Sequence, residues 1–223
     1  MIKSRIAIAA GLLAVAGAAS ADITVPVAVT SDYDFRGLTQ TDENFALQAG
    51  LTYTDDSGFY VGAWASNVDF PGLDGDLELD GFVGFAGGDA AESFGYDVGA
   101  VVYAYPGSDD LEEVVELYAG LTKGMFGAKL WFSPDNYGDT SFYIEGNGTF
   151  PLPANFALVA HVGYSFGDYW DNSLGEYLDY SLGVNYTVSN FTLNAKWVDT
   201  DISGADTDRF IFTVSTTLPW AKD

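Results

Sequence analysis

From Asp22 to the C-terminus, apolar and polar residues alternate in short runs. The last run shows the pattern: Phe210, Phe212, Val214, Thr216 and Leu218 fall on one side, and Arg209, Ile211, Thr213 and Ser215 on the other. A period of two marks a strand whose faces meet different environments. Twelve strands are predicted, over residues 23–35, 44–53, 58–66, 77–86, 94–104, 111–122, 125–133, 140–150, 155–165, 177–188, 190–199 and 208–218. The connections fall into two classes that alternate strictly. Tight ones lie at 54–57, 123–124, 151–154 and 189–190, with 87–93 somewhat longer. Longer ones, rich in Asp, Gly and Asn, lie at 36–43, 67–76, 105–110, 134–139, 166–176 and 200–207. An even strand count, strands of ~9–11 residues and segregated turns are the marks of an outer-membrane barrel. The expected fold is all-β: an up-and-down antiparallel transmembrane β-barrel of about 12 strands. It has short periplasmic turns, longer acidic external loops and both termini on the periplasmic side.

The two faces follow from the phase. Phe191, Leu193, Ala195 and Trp197 oppose Thr192, Asn194 and Lys196; Phe156, Leu158, Ala160, Val162 and Tyr164 oppose His161 and Ser165. Phe142 and Ile144 likewise oppose Tyr143, Glu145 and Asn147. In lipid the apolar side faces outward, because Lys or Arg at the midplane costs ~2–4 kcal/mol. A soluble sheet with an apolar interior alternates in the same way, so alternation leaves the sign open. The export signal, the segregated loops and the aromatic load favour lipid outside. The inward phase then carries Asp32, Asp34, Glu78, Asp80, Asp97, Glu112, Glu116, Glu145 and Asp179, against Arg36, Lys129, Lys196 and Arg209. With His161, and leaving out Glu112, these are the candidate pore-lining residues of a net negative lumen.

Composition changes the picture in three ways. Lys3 and Arg5, the apolar run 6–18 and the small residues Ala19-Ser20-Ala21 form a signal peptide, with cleavage expected after Ala21. Residues 1–21 are therefore read as export signal and 22–223 as the barrel. Cysteine is absent, which excludes a lipoprotein anchor and a disulfide framework. Past residue 21, six Lys plus Arg (eight less Lys3 and Arg5) face 32 Asp plus Glu, a formal net charge of −26. Such a polyanion repels DNA and RNA, so nucleic acid is excluded as a partner. Solubility or a salty habitat explains the charge as well as cation binding does. The 26 Gly, 14 Tyr, 16 Phe and 5 Trp suit a barrel with aromatic girdles.

The block Ser31-Asp32-Tyr33-Asp34-Phe35-Arg36-Gly37-Leu38-Thr39-Gln40 resembles the opening motif of the TorF family of porin-like proteins. Gly58-Phe59-Tyr60-Val61-Gly62-Ala63-Trp64-Ala65-Ser66-Asn67-Val68-Asp69-Phe70 is similar to that family's second diagnostic stretch. Glu78-Leu79-Asp80 falls where the family carries an acidic pair. The resemblance implies an outer-membrane location, outer-membrane lipid as surroundings, and a pore; it implies no particular solute. One departure concerns the barrel-assembly machinery, the expected partner in biogenesis, which reads a terminal aromatic. The in-phase aromatic here is Trp220, preceded by Pro219 and followed by three further residues.

Candidate chemistry is sparse. Arg36 sits beside Asp32 and Asp34 and is read either as part of an ion-pair lattice narrowing a pore or as a salt bridge that only satisfies buried charge. His161 is the only histidine. Ser165, four residues along the same strand, is ~13 Å away, and Ser181 faces it only if the hairpin register is symmetric. Both would point into the lumen, where a lipase nucleophile does not meet bilayer substrate, so no catalytic residue is assigned. Asp74-Gly75-Asp76 and Asp199, Asp201, Asp206 and Asp208 lack the spacing of a dedicated calcium loop. No metal or cofactor is expected. The function expected is a porin-like channel for passive diffusion of small hydrophilic solutes, preferring cations. The alternatives are a closed structural or adhesive barrel and a soluble periplasmic barrel around a small apolar ligand.

Overall fold

A computed structural model describes residues 22–220. The export segment, its cleavage position Ala21 and residues 221–223 lie outside the described residues. Twelve antiparallel strands close on themselves: β1 (Asp22–Thr30), β4 (Ala46–Thr54), β5 (Phe59–Asn67), β6 (Leu77–Gly88), β7 (Gly95–Ala104), β8 (Val114–Lys123), β9 (Phe126–Asn136), β10 (Asp139–Pro151), β11 (Phe156–Phe166), β12 (Tyr177–Val188), β13 (Phe191–Thr200) and β14 (Arg209–Leu218). Each pairs with its sequence neighbour, and β1 closes the ring by pairing with β14 in the register Val25↔Leu218 to Thr30↔Thr213. The remaining two strands, β2 (Asp34–Phe35) and β3 (Leu38–Thr39), form a separate small hairpin.

The apolar phase faces outward. Leu51, Val61, Val83, Val98, Leu117, Ile144, Val162, Leu182 and Val214 are all exposed, whereas their neighbours on the opposite phase are shielded. A water-facing belt of this extent is untenable, so the exterior is a lipid surface. This excludes the soluble barrel, which needs its apolar face inward. Aromatic pairs cluster at both rims. Phe59–Phe85, Phe126–Phe150, Phe156–Tyr186 and Phe191–Trp220 lie at the turn end, and Phe132–Phe142–Phe166 and Tyr180–Trp197 at the loop end. Rings of this kind sit where hydrocarbon meets headgroups.

Three expectations need correction. The first strand stops at Thr30 rather than residue 35, because residues 32–39 turn into the barrel. The predicted long loop at 134–139 is a two-residue turn: β9 and β10 run on to Asn136 and Asp139, and Tyr137 (φ 53) with Gly138 (φ 93) makes a type I′ hairpin. The backbone N–H of Gly138 donates to Asp135 Oδ1 there at 2.9 Å. Loop lengths therefore do not alternate strictly. Finally, β8 begins at Val114, which leaves Glu112 exposed in a loop rather than in the lumen. The loop after β11 holds one helical turn, α1 (Asp168–Asp171), whose Trp170 packs edge-on against Tyr177 at 5.1 Å.

Candidate functional site

The lumen is built by side chains that reach across strands. Asp97 on β7 receives Tyr60 Oη from β5 at 2.5 Å and Lys129 Nζ from β9 at 2.6 Å. Each donor crosses an intervening strand at a glycine. A Cβ on Gly84 of β6 would strike the Tyr60 ring, and one on Gly120 of β8 would lie 3.0 Å from Lys129 Cε. Tyr143 on β10 crosses Gly163 of β11 in the same way, and its hydroxyl donates to Asp179 on β12 at 3.2 Å. Inward glycines thus explain part of the glycine and tyrosine content: they let long polar side chains lie flat on the wall. On the β5–β8 wall, Tyr60, Phe82, Val101 and Tyr118 pack into a buried cluster that narrows the barrel, flanked by Trp64 and Trp131.

Nearer the loop end, the β2–β3 hairpin lies inside the barrel. Its tip is Arg36-Gly37, with φ of 52 and 81 and the pairing Asp34↔Thr39 and Phe35↔Leu38, again a type I′ turn. Glycine is required at the second tip position by φ and by space, since a Cβ there would collide with Thr200 and lie 2.8 Å from Asp179 Cβ. Arg36 donates two hydrogen bonds to Glu116 at 2.8 and 2.7 Å, and its guanidinium lies 4.3 Å from the Tyr143 ring centroid. Arg209 donates through Nε to Asp32 Oδ2 at 2.5 Å, through Nη2 to Asp34 Oδ1 at 2.7 Å and through Nη1 to the Gly37 carbonyl at 2.9 Å. Lys196 Nζ reaches Asp34 Oδ2 at 2.7 Å. Tyr33 donates to Glu78 Oε1 at 2.9 Å and stacks edge-on against Trp64 at 5.4 Å. Phe35 meets Tyr103, and Tyr103 in turn donates to Glu116 at 2.9 Å.

All thirteen candidate residues lie in the interior, but not with the partners the sequence suggested. Arg36 does not bond Asp32 or Asp34; it bridges to Glu116 on the far wall, and those two carboxylates are held by Arg209 and Lys196. Asp32, Asp34 and Arg36 belong to the hairpin segment rather than to the first strand. Asp97 pairs with Lys129. Glu145 accepts from Trp131 Nε1 at 2.9 Å and from Asn147 at 2.8 Å. His161 contacts Asp179 and the Tyr143 hydroxyl through Nε2 at 2.8 and 2.9 Å, and Asn147 Oδ1 through Nδ1 at 2.8 Å. Ser181 is its register partner across β11–β12, yet both ring nitrogens are engaged elsewhere. Glu78 and Asp80 face inward two residues apart with no Lys or Arg beside them among the described residues, and Asp80 Oδ1 is buried without a partner. Eight carboxylates therefore meet four Lys or Arg in the described interior.

The tyrosines that organise this network, Tyr33, Tyr60, Tyr103, Tyr118 and Tyr143, were missed. For Tyr60, Tyr118 and Tyr143 the signal was available as inward-phase tyrosines facing glycines on neighbouring strands; Tyr33 and Tyr103 carry no such mark. Acidic residues at the loop end use their carboxylates locally: Asp201 accepts from the Leu178 N–H, and Asp199 at the end of β13 from the Thr200 N–H. No group of three or more His, Cys, Asp or Glu converges on a metal position among the described residues.

A family model described as a bacterial protein of unknown function, Gcw_chp, matches residues 14–218. The chain belongs to the Gcw_chp family. No curated protein matches it significantly. Among solved structures, this Gcw_chp protein is similar to the KdgM porin in complex with disordered oligogalacturonate, with a TM-score of 0.56 and 8% identity over 90% of this chain and 99% of that one. It is similar also to the NanC porin, with a TM-score of 0.54 and 9% identity over 88% and 98%. The COG4313 outer membrane channel from Pseudomonas putida F1 gives a TM-score of 0.50 and 14% identity over 91% and 96%. At these identities the likeness is one of fold: the closed twelve-stranded barrel is that of outer-membrane porins.

Proposed function

We propose that the protein is an outer-membrane, porin-like channel for passive diffusion of small hydrophilic solutes, with a preference for cations. The observation that carries this reading is the inverted polarity of the closed barrel, apolar outside and lined with ionised side chains within. A barrel that served only to anchor loops has no need of buried charges, each costly to desolvate. The fold shared with porins and the resemblance to the TorF family support the location and the channel class. Eight interior carboxylates against four Lys or Arg support the cation preference. Outer-membrane lipid surrounds the aromatic-rimmed belt, and the barrel-assembly machinery is the proposed partner in insertion.

One observation favours the second reading, a closed structural barrel: the β2–β3 hairpin lies across the lumen. Single-channel recording of the refolded chain in a planar bilayer separates the two. Discrete steps with a cation-favouring reversal potential in a salt gradient are expected, and the preference weakens as salt shortens the Debye length to ~3 Å at 1 M. Anion selectivity refutes the cation preference. Silence from protein shown to be inserted, in the parent and also in variants that free the β2–β3 hairpin, refutes the channel.

A further inference from the structure

The hairpin crosses the barrel. Residues 32–39 contact side chains from β5, β6, β7, β8, β10, β13 and β14, so little of the ring is left free at that level. The side chains of Arg36, Glu116, Asp32 and Arg209 retain only 4–8% of their accessible surface there. Solutes therefore do not pass this layer while the hairpin is seated.

Two features make the seating reversible. The hairpin has two residues per strand and shares no ladder with the barrel sheet, and an isolated hairpin of that size has little stability of its own. Its hold on the wall is mostly charge: Arg36–Glu116 on one side, Asp32–Arg209 and Asp34 with Lys196 and Arg209 on the other. Water can replace such contacts, whereas an apolar plug would have to surrender buried hydrocarbon. The hairpin's neighbours are also its own flanking blocks: Trp64 and Glu78 receive Tyr33, and the Asp69 N–H donates to the Gln40 carbonyl at 2.8 Å. The three segments singled out in the sequence thus meet at this one place.

We infer that the β2–β3 hairpin is a displaceable plug, latched to the barrel wall by the Arg36–Glu116 and Asp32/Asp34–Lys196/Arg209 ion pairs, and that the conducting state is the one in which it leaves the lumen. This rests on the channel reading. Seating and release form a two-state order–disorder element of the kind that gates by population shift. Release also uncovers Glu116, Lys196 and Arg209 as lumen charges, so the open pore has a different field from the closed one.

The test uses the full-length protein refolded into bilayers, with insertion verified by heat-modifiable mobility. Because the chain has no cysteine, Phe35→Cys supplies a sole thiol on the hairpin, read by the labelling rate with a membrane-impermeant charged maleimide. In that background Arg36→Gln, and independently Glu116→Gln in case the first fails to insert, removes one bidentate latch. Labelling rate and open fraction are each expected to rise roughly tenfold or more. The exchange Arg36→Glu/Glu116→Arg is expected to bring both back toward the parent values. Unchanged labelling and conductance in the inserted latch variants overturn the proposal and make the hairpin a fixed part of the wall. Labelling that rises while every variant stays silent supports hairpin release and refutes the channel reading instead.

Discussion

Replacing Lys129 with Met tests the cross-strand network at its centre. The Lys129–Asp97 pair is 2.6 Å long and its side chains are 12% and 10% exposed, so solvent screens it little. Removing the ammonium leaves Asp97 with the Tyr60 hydroxyl as its remaining partner among the described residues, and an uncompensated buried charge costs ~3–5 kcal/mol. Lys129 also lies 4.5 Å from the Tyr118 ring and 5.0 Å from Trp131; losing the charge there adds ~0.5–2 kcal/mol, while the Met side chain keeps most of the apolar stem in place. The expected loss for Lys129→Met is therefore ~3.5–7 kcal/mol of unfolding free energy. Urea titration of the refolded barrel in micelles, followed by heat-modifiable mobility and tryptophan fluorescence, measures it. The double variant Asp97→Asn/Lys129→Met should be milder than the sum of its singles by ~1.5 kcal/mol or more, because it removes both charges together. A single-variant loss below ~0.5 kcal/mol, or strictly additive singles, refutes the view that this pair is a buried, coupled bridge.

Gly84→Ala places a methyl group into the Tyr60 ring and 2.6 Å from the Val98 carbonyl; a loss of ~1–3 kcal/mol is expected by the same titration, and an unchanged midpoint counts against the glycine-crossing rule. Leu182→Arg, at the middle of the lipid face of β12, should cost ~2–4 kcal/mol in bilayers, and a neutral result would mean that this face is not against lipid. In the exposed turn after β4, the Ser57 hydroxyl and backbone N–H hold the Asp55 carboxyl below its ordinary pKa of 3.8. A depressed folded value means that the contribution is present above the unfolded pKa and is lost as pH falls through the folded one. Asp55→Asn should therefore flatten the acid limb of the stability profile and leave its slope above pH ~5 alone, as a pH series of urea midpoints will show.

The sequence by itself determined the barrel. Period-two alternation in lipid allows one solution in which every backbone group is paired and every apolar face meets hydrocarbon, and that is a closed sheet. Eleven of the twelve predicted strands match the structure to within three residues at both ends. The inward phase of Glu78, Asp97, Glu116, Lys129, Glu145, His161, Asp179, Lys196 and Arg209 was equally legible, because side-chain direction is a strictly local property of a strand. The exceptions are the ends where local rules compete. Pro134, Asp135 and Asn136 read as a loop but extend β9, because the I′ turn at Tyr137-Gly138 matches the twist of the strands it joins. Residues 31–35 read as a strand because their phase continues that of β1, yet the chain leaves the wall after Thr30.

Only the tertiary structure decided where that segment goes and with whom its charges pair. Arg36 is 80 residues from Glu116, and Asp34 is 162 from Lys196. Pairing over such separations depends on barrel closure and strand stagger, which set the facing residues across the lumen and leave no trace in local periodicity. The sequence could state that the lumen is acidic; closure alone turned four of its carboxylates into partners for the four Lys and Arg, left Glu78 and Asp80 without one, and set a hairpin across the opening.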